Sequence, residues 1–120
     1  TEKSVGATGY SDLLEVTVVT PEPATLRITF HSLVWKTDGN GRTALGVRID
    51  GSPDTTPDQT SFVQVGTPIS SFWTSFLLVS THFVDVPAGS HKVVLVLGSW
   101  DTGTSHARAY KMNVESLRKP

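Results

Sequence analysis

At 120 residues the chain has the length of one domain, which buries roughly two thirds of its unfolded surface and needs no second core. Cysteine is absent, which excludes disulfides, thiolate metal ligands and cysteine nucleophiles and leaves the redox compartment open. Ten basic residues against eleven acidic ones give a net charge of −1, and the basic residues are scattered apart from Arg118-Lys119 at the tail, so nucleic acid is not expected as a partner.

The chain opens on Thr1 without a methionine or a signal-like segment, so a processed product or a fragment of a longer protein is expected. Val93 to Leu97 is the longest apolar run and stops at Gly98, far short of the ~20 residues of a membrane span. Membrane insertion is not expected.

The first strand signal is Leu13-Leu-Glu-Val-Thr-Val-Val19, rich in β-branched residues and ended by Pro21 and Pro23. From Thr25, Leu26, Ile28 and Phe30 alternate with Arg27, Thr29 and His31, the period of a half-buried strand, which continues through Val34 to Trp35. Asp38-Gly-Asn-Gly41 reads as a hairpin turn into Leu45, Val47 and Ile49, which alternate with Gly46, Arg48 and Asp50. Asp50-Gly51 opens a polar stretch with Pro53 and Pro57, read as an exposed loop.

Phe62 to Val65 is a short strand candidate and Phe72 to Val86 a long one. Apolar residues on both sides of Phe76 to Val79 predict that this part is covered on both faces. Val86-Pro-Ala-Gly89 is placed as a tight turn, and the strand beyond it, His91 to Leu97, is expected to form an antiparallel hairpin with the one before. After the loop Gly98 to Gly103, a last strand is expected in which Arg108, Tyr110, Met112 and Val114 share one face, ending near Leu117. Seven or eight strands with antiparallel connections and little helix predict an all-β fold, an antiparallel two-sheet sandwich. A jelly roll is preferred and an immunoglobulin-like sandwich is the alternative.

Sites of chemistry are sparse. His31, His82, His91 and His106 include no H-x-H pair and no helical spacing, so no metal and no cofactor is expected. Asp38-Gly-Asn40 resembles the opening of a calcium loop, but Arg42 stands where an oxygen ligand is needed and no glutamate closes the loop. There is no G-x-S-x-G elbow, and no catalytic residue is assigned. Trp35 reads as core. Trp73 in Phe72-Trp73-Thr74-Ser75-Phe76, and Trp100 beside Asp101, are candidates for ligand or interface contact, because aromatic side chains give large contact area at low entropy cost. Phe72, Trp73 and Leu77 are further expected to bury against a neighbouring copy about a symmetry axis.

Tyr110-Lys-Met-Asn-Val-Glu-Ser-Leu117, after the turn Val86-Pro-Ala-Gly-Ser-His91 and the strand Lys92 to Leu97, resembles the C-terminal β-sandwich modules of tail and other surface proteins of phages that infect actinobacteria. Ser116 departs from that pattern, where those modules carry an acidic residue. The resemblance covers the last third of the chain, extends to Thr17 to Asp50 by pattern only, and carries over no site residue. It implies a non-catalytic role on the virion surface, as a tail fibre tip, receptor-binding or capsid-decoration module, with other virion proteins or a host surface glycan as partners. It also implies a symmetric assembly, so with the contacts expected of Phe72, Trp73 and Leu77 a homotrimer is expected. The alternative expectation is a carbohydrate-binding module of a secreted bacterial protein, carried by Trp73 and Trp100.

Overall fold

The computed structural model describes residues 2–6, 9–39, 41–50, 63–67 and 75–118, with the backbone alone at 63–67, 101 and 118. The strands are β1 (Lys3–Val5), β2 (Gly9–Thr20), β3 (Ala24–Thr37), β4 (Gly41–Ile49), β5 (Val63–Thr67), β6 (Phe76–Val86), β7 (Gly89–Asp101) and β8 (Thr104–Arg118). They form two four-stranded antiparallel sheets, ordered β1-β8-β3-β6 and β2-β7-β4-β5. First pairs with last, second with seventh, third with sixth and fourth with fifth, as in one long hairpin rolled into two layers. This is the strand order of a jelly roll. An immunoglobulin-like sandwich would keep several chain neighbours side by side, whereas here β4 and β5 alone are consecutive in both chain and sheet.

Two turns read as hairpins therefore do something else. The corner at Val86 to Gly89 carries the chain from β6, which pairs with β3, to β7, which pairs with β2 and β4. Asp38 to Gly41 likewise leads from β3 in one sheet to β4 in the other. Proline and glycine permit a sharp reversal, but they do not say whether it stays in the plane of a sheet. The partner of the Val86 corner is the β2–β3 corner: Ala24 faces Val86, Thr20 faces Gly89, and Thr20 Oγ1 donates to Pro87 O at 3.0 Å.

The alternation in β3 is realised as expected, with Leu26, Ile28, Phe30 and Val34 fully buried. They meet Leu13, Leu45, Val47, Leu78, Val93, Leu95 and Leu97 in one core between the sheets. Two bulges adjust the alternation. In β2 the register with β7 shifts between Asp12 and Leu14, which lets Leu13 and Leu14 both turn towards the core. In β8, Ala109 and Tyr110 together oppose Ser32, so Ala107 above the bulge and Tyr110, Met112 and Val114 below it all face inward. Arg108, expected in the Tyr110 row, is instead exposed.

Ala109 holds φ at 55° to make the second bulge. A left-handed backbone costs an L-residue roughly 1–2 kcal/mol, and glycine gives back about 0.5–1 of that in unfolded-state entropy. Ala109→Gly should therefore raise stability by about 0.5 kcal/mol in urea titration. A lower midpoint would mean that the Ala109 methyl contributes packing.

The two outer faces differ. On the β2-β7-β4-β5 sheet, Arg48 of β4 reaches across β7 to Asp12 of β2 with two hydrogen bonds of 3.0 Å, and Val94 and Val96 between them are buried. A bidentate guanidinium–carboxylate pair whose stem covers apolar surface acts as a lid over the sheet. On the β1-β8-β3-β6 sheet, Leu77, Val79 and Phe83 of β6 stay 61%, 54% and 57% exposed. The expectation that Phe76 to Val79 is covered on both faces is corrected: β6 is an edge strand, buried on its inner side at Leu78 and open on its outer side.

Candidate functional site

The groups able to do chemistry lie at opposite ends of the sandwich. At one end Lys36, on the inward row that runs Ile28, Phe30, Ser32, Val34, is fully buried. Its ammonium donates to the carbonyls of Arg42 at 3.1 Å and Trp100 at 2.8 Å and to Ser99 Oγ at 3.1 Å. It thereby ties β3 to both β4 and β7, that is, one sheet to the other. Nearby, Thr43 and Ser105 share a hydrogen bond of 2.8 Å, and Trp35 stacks on His106 at 5.1 Å with planes 8° apart. His106 Nε2 is 2.8 Å from Thr37 Oγ1.

Trp100 belongs to this end. It lies within β7, not in a loop as the glycines around it suggested, because Gly98 pairs with both Tyr10 and Ala44 inside the sheet. Its indole N–H donates to Tyr10 OH at 3.3 Å, the Tyr10 ring packs edge-on at 6.4 Å, and the Arg42 guanidinium stands 5.0 Å above its own ring. One face of Trp100 is thus engaged by a cation within the chain.

At the other end His91 is buried between two acceptors. Nδ1 is 2.6 Å from Asp50 Oδ2 and Nε2 is 2.6 Å from Pro87 O. Both nitrogens meet oxygens, so the imidazolium, with two N–H donors, is the form this setting favours. Asp50 is itself held, with Oδ1 accepting from the Lys92 amide at 3.0 Å and its own amide donating to Lys92 O at 2.9 Å. The Asp50 hydrogen bond first, and the Pro87 carbonyl second, raise the His91 pKa above its ordinary 6.5, against an opposing effect of burial.

Because the folded pKa lies above the unfolded one, this stabilisation is complete below pH 6.5 and is lost as pH rises through the folded value. Stability should therefore decline on the alkaline side of neutrality. Asp50→Asn should flatten that decline and cost about 1.5–3 kcal/mol at pH 6, the range for hydrogen bonds to charged groups. Urea titrations at pH 6 and pH 9 on both proteins test this, and parallel pH curves would remove His91 as the cause. The same geometry bears on catalysis: Nε2 is occupied by the Pro87 carbonyl, and among the described residues no hydroxyl is placed to give it a proton.

The third feature is the open outer face of the β1-β8-β3-β6 sheet. Leu77, Val79, Thr81 and Phe83 form a row along β6, beside Leu33, His31, Thr29 and Arg27 on β3. A shallow groove on this face is lined by Thr29, His31, Lys111, Met112 and Asn113, and Arg27 pairs with Glu115 at 2.6 Å beyond it. Apolar and polar strips thus run side by side.

Of the residues singled out from the sequence, Leu77 lies on this face and Trp100 at the Lys36 end, so the fold does not join them into one site. Asp101 ends β7 opposite Gly41. Phe72 and Trp73 lie outside the described residues. Val79 and Phe83 were missed, although both share the odd-numbered row of Leu77. Among the described residues no three His, Asp or Glu side chains gather as a metal would require. The class defined by fold and surface is a jelly-roll domain with eight strands among the described residues and one open sheet face. No family model and no curated protein matches the chain.

Proposed function

We propose that the domain is a non-catalytic surface module of a virion, a tail fibre tip, receptor-binding or capsid-decoration element, that works through assembly and adhesion. The observation that carries this reading is the open sheet face, where Leu77, Val79 and Phe83 are each more than half exposed. Apolar side chains gathered in one row mark an interaction surface more often than chance exposure does. The jelly-roll order is compatible with this role and with lectins alike, so it does not choose between them. The resemblance of the last third of the chain to phage tail modules supports the virion setting.

The competing reading is a carbohydrate-binding module of a secreted protein. It needs an aromatic face free to stack on a sugar, and the Arg42 guanidinium occupies one face of Trp100. Labelled domain applied to intact actinobacterial cells and to a glycan array separates the two. Retention on cells that weakens with Val79→Lys and not with Trp100→Ala supports the adhesive face. Glycan binding abolished by Trp100→Ala would transfer the function to the other reading.

A further inference from the structure

Sheet edges expose unpaired backbone donors and acceptors, and proteins guard them with short strands, bulges, charges or proline. Three of the four edges here are guarded. β1 has 3 residues and β5 has 5. β2 is bulged at Asp12 to Leu14, carries Glu15 and is closed by Pro21. Among the described residues β6 has none of these devices: it runs 11 residues, keeps unbroken register with β3 from Ala24–Val86 to Val34–Phe76, contains no proline, glycine or lysine, and has Asp85 near its end as its one acidic residue. The unguarded edge is also the strand that bears the exposed row.

We propose that β6 pairs antiparallel with β6 of a second copy across a two-fold axis at Ser80, joining the two β1-β8-β3-β6 sheets into one sheet of eight strands. About that residue most apolar side chains of the strand oppose one another, although Leu78 faces His82. Leu77 faces Phe83 of the other copy, Val79 faces Thr81, and on the inner side Phe76 faces Val84. Shifting the axis to Thr81 sets Leu77 against Asp85, and a shift of one residue places each apolar row opposite the wrong face. With the axis at Ser80 each Asp85 meets Ser75, and the two carboxylates stand at opposite ends of the ladder, about 33 Å apart at 3.3 Å per residue. Directly opposed apolar and aromatic pairs are the stabilising unit of such a ladder.

Three copies were expected from Phe72, Trp73 and Leu77 around an axis. Leu77 lies on a strand that pairs on one side only among the described residues, and one edge is satisfied by one partner, so the proposed closed assembly is an isologous dimer. The inference does not depend on what the module adheres to, since a monomer could bind cells or glycans equally well.

Sedimentation velocity from 1 to about 100 µM gives the mass, with three variants. The expected result is a dimer whose dissociation constant rises at least tenfold with Val79→Lys, and is unchanged by Val19→Lys, which alters the still more exposed Val19 on β2. The chain has no cysteine, so Ser80→Cys introduces a single thiol at the axis. Directly opposed residues of an antiparallel pair lie within disulfide reach, and mild oxidation should give a covalent dimer. A mass of one chain throughout, a mass of three chains, or a dimer indifferent to Val79→Lys would overturn the proposal.

Discussion

Lys36→Met should cost the domain about 3 kcal/mol, one of the two largest single-residue losses expected. Methionine keeps the apolar stem but removes the donors to Arg42 O, Trp100 O and Ser99 Oγ. A buried acceptor left unpaired costs about 1–3 kcal/mol, and hydrogen bonds to a charged donor stand at the upper end, so partial relaxation of three acceptors still leaves this figure. The loss is a large share of the roughly 5–15 kcal/mol available to a domain. It should appear as a melting point lower by ten degrees or more, at about 4 °C per kcal/mol for this size. A loss below about 1 kcal/mol would mean that water or a shifted side chain takes over the three acceptors.

Gly103→Ala is expected to cost about 3 kcal/mol as well, for a different reason. Gly103 has φ 88°, and a methyl group there would fall 2.6 Å from Thr37 O and 2.9 Å from both Gly39 N and Gly39 O. All three are backbone atoms and cannot swing aside. The left-handed backbone contributes roughly 1–2 kcal/mol and overpacking roughly 1–3. Gly39 has the reciprocal problem, since a methyl group on it would meet Gly103 N at 2.7 Å. The β3–β4 and β7–β8 turns thus dock glycine against glycine, closing the sandwich at the end where Lys36 is buried. Gly89→Ala is the control: its φ is 133° but nothing lies within 4 Å, so it carries backbone strain without the clash and should cost about half as much. Equal losses at the two positions, read by urea denaturation, would mean that the turn-to-turn contact yields easily.

These two positions show where reading by pattern succeeds and where it stops. Lys36 was legible in principle: counting by twos from Leu26 through Ile28, Phe30, Ser32 and Val34 lands on it, and the row is buried throughout. From the sequence alone Lys36 is not counted in that row, because a buried lysine is rare unless acceptors await it. Those acceptors come from Arg42, Ser99 and Trp100, and no local signal announces them. Gly103 reads as one of many turn glycines until Gly39, distant in the chain, is placed against it.

By itself the sequence determined the all-β class, the extent of β3, its inward row of Leu26, Ile28 and Phe30, and the sandwich family, because side chains alternate along a strand whatever lies beside it. Tertiary structure alone decided that the Val86 and Asp38 turns cross between sheets, that Ala109 bulges and turns Arg108 outward, and that Leu77, Val79 and Phe83 sit exposed on an edge strand. Each of these depends on which strand is the neighbour. That choice is made by contacts as far apart as Ala24 with Arg118, where closing the chain costs entropy that only the completed core repays.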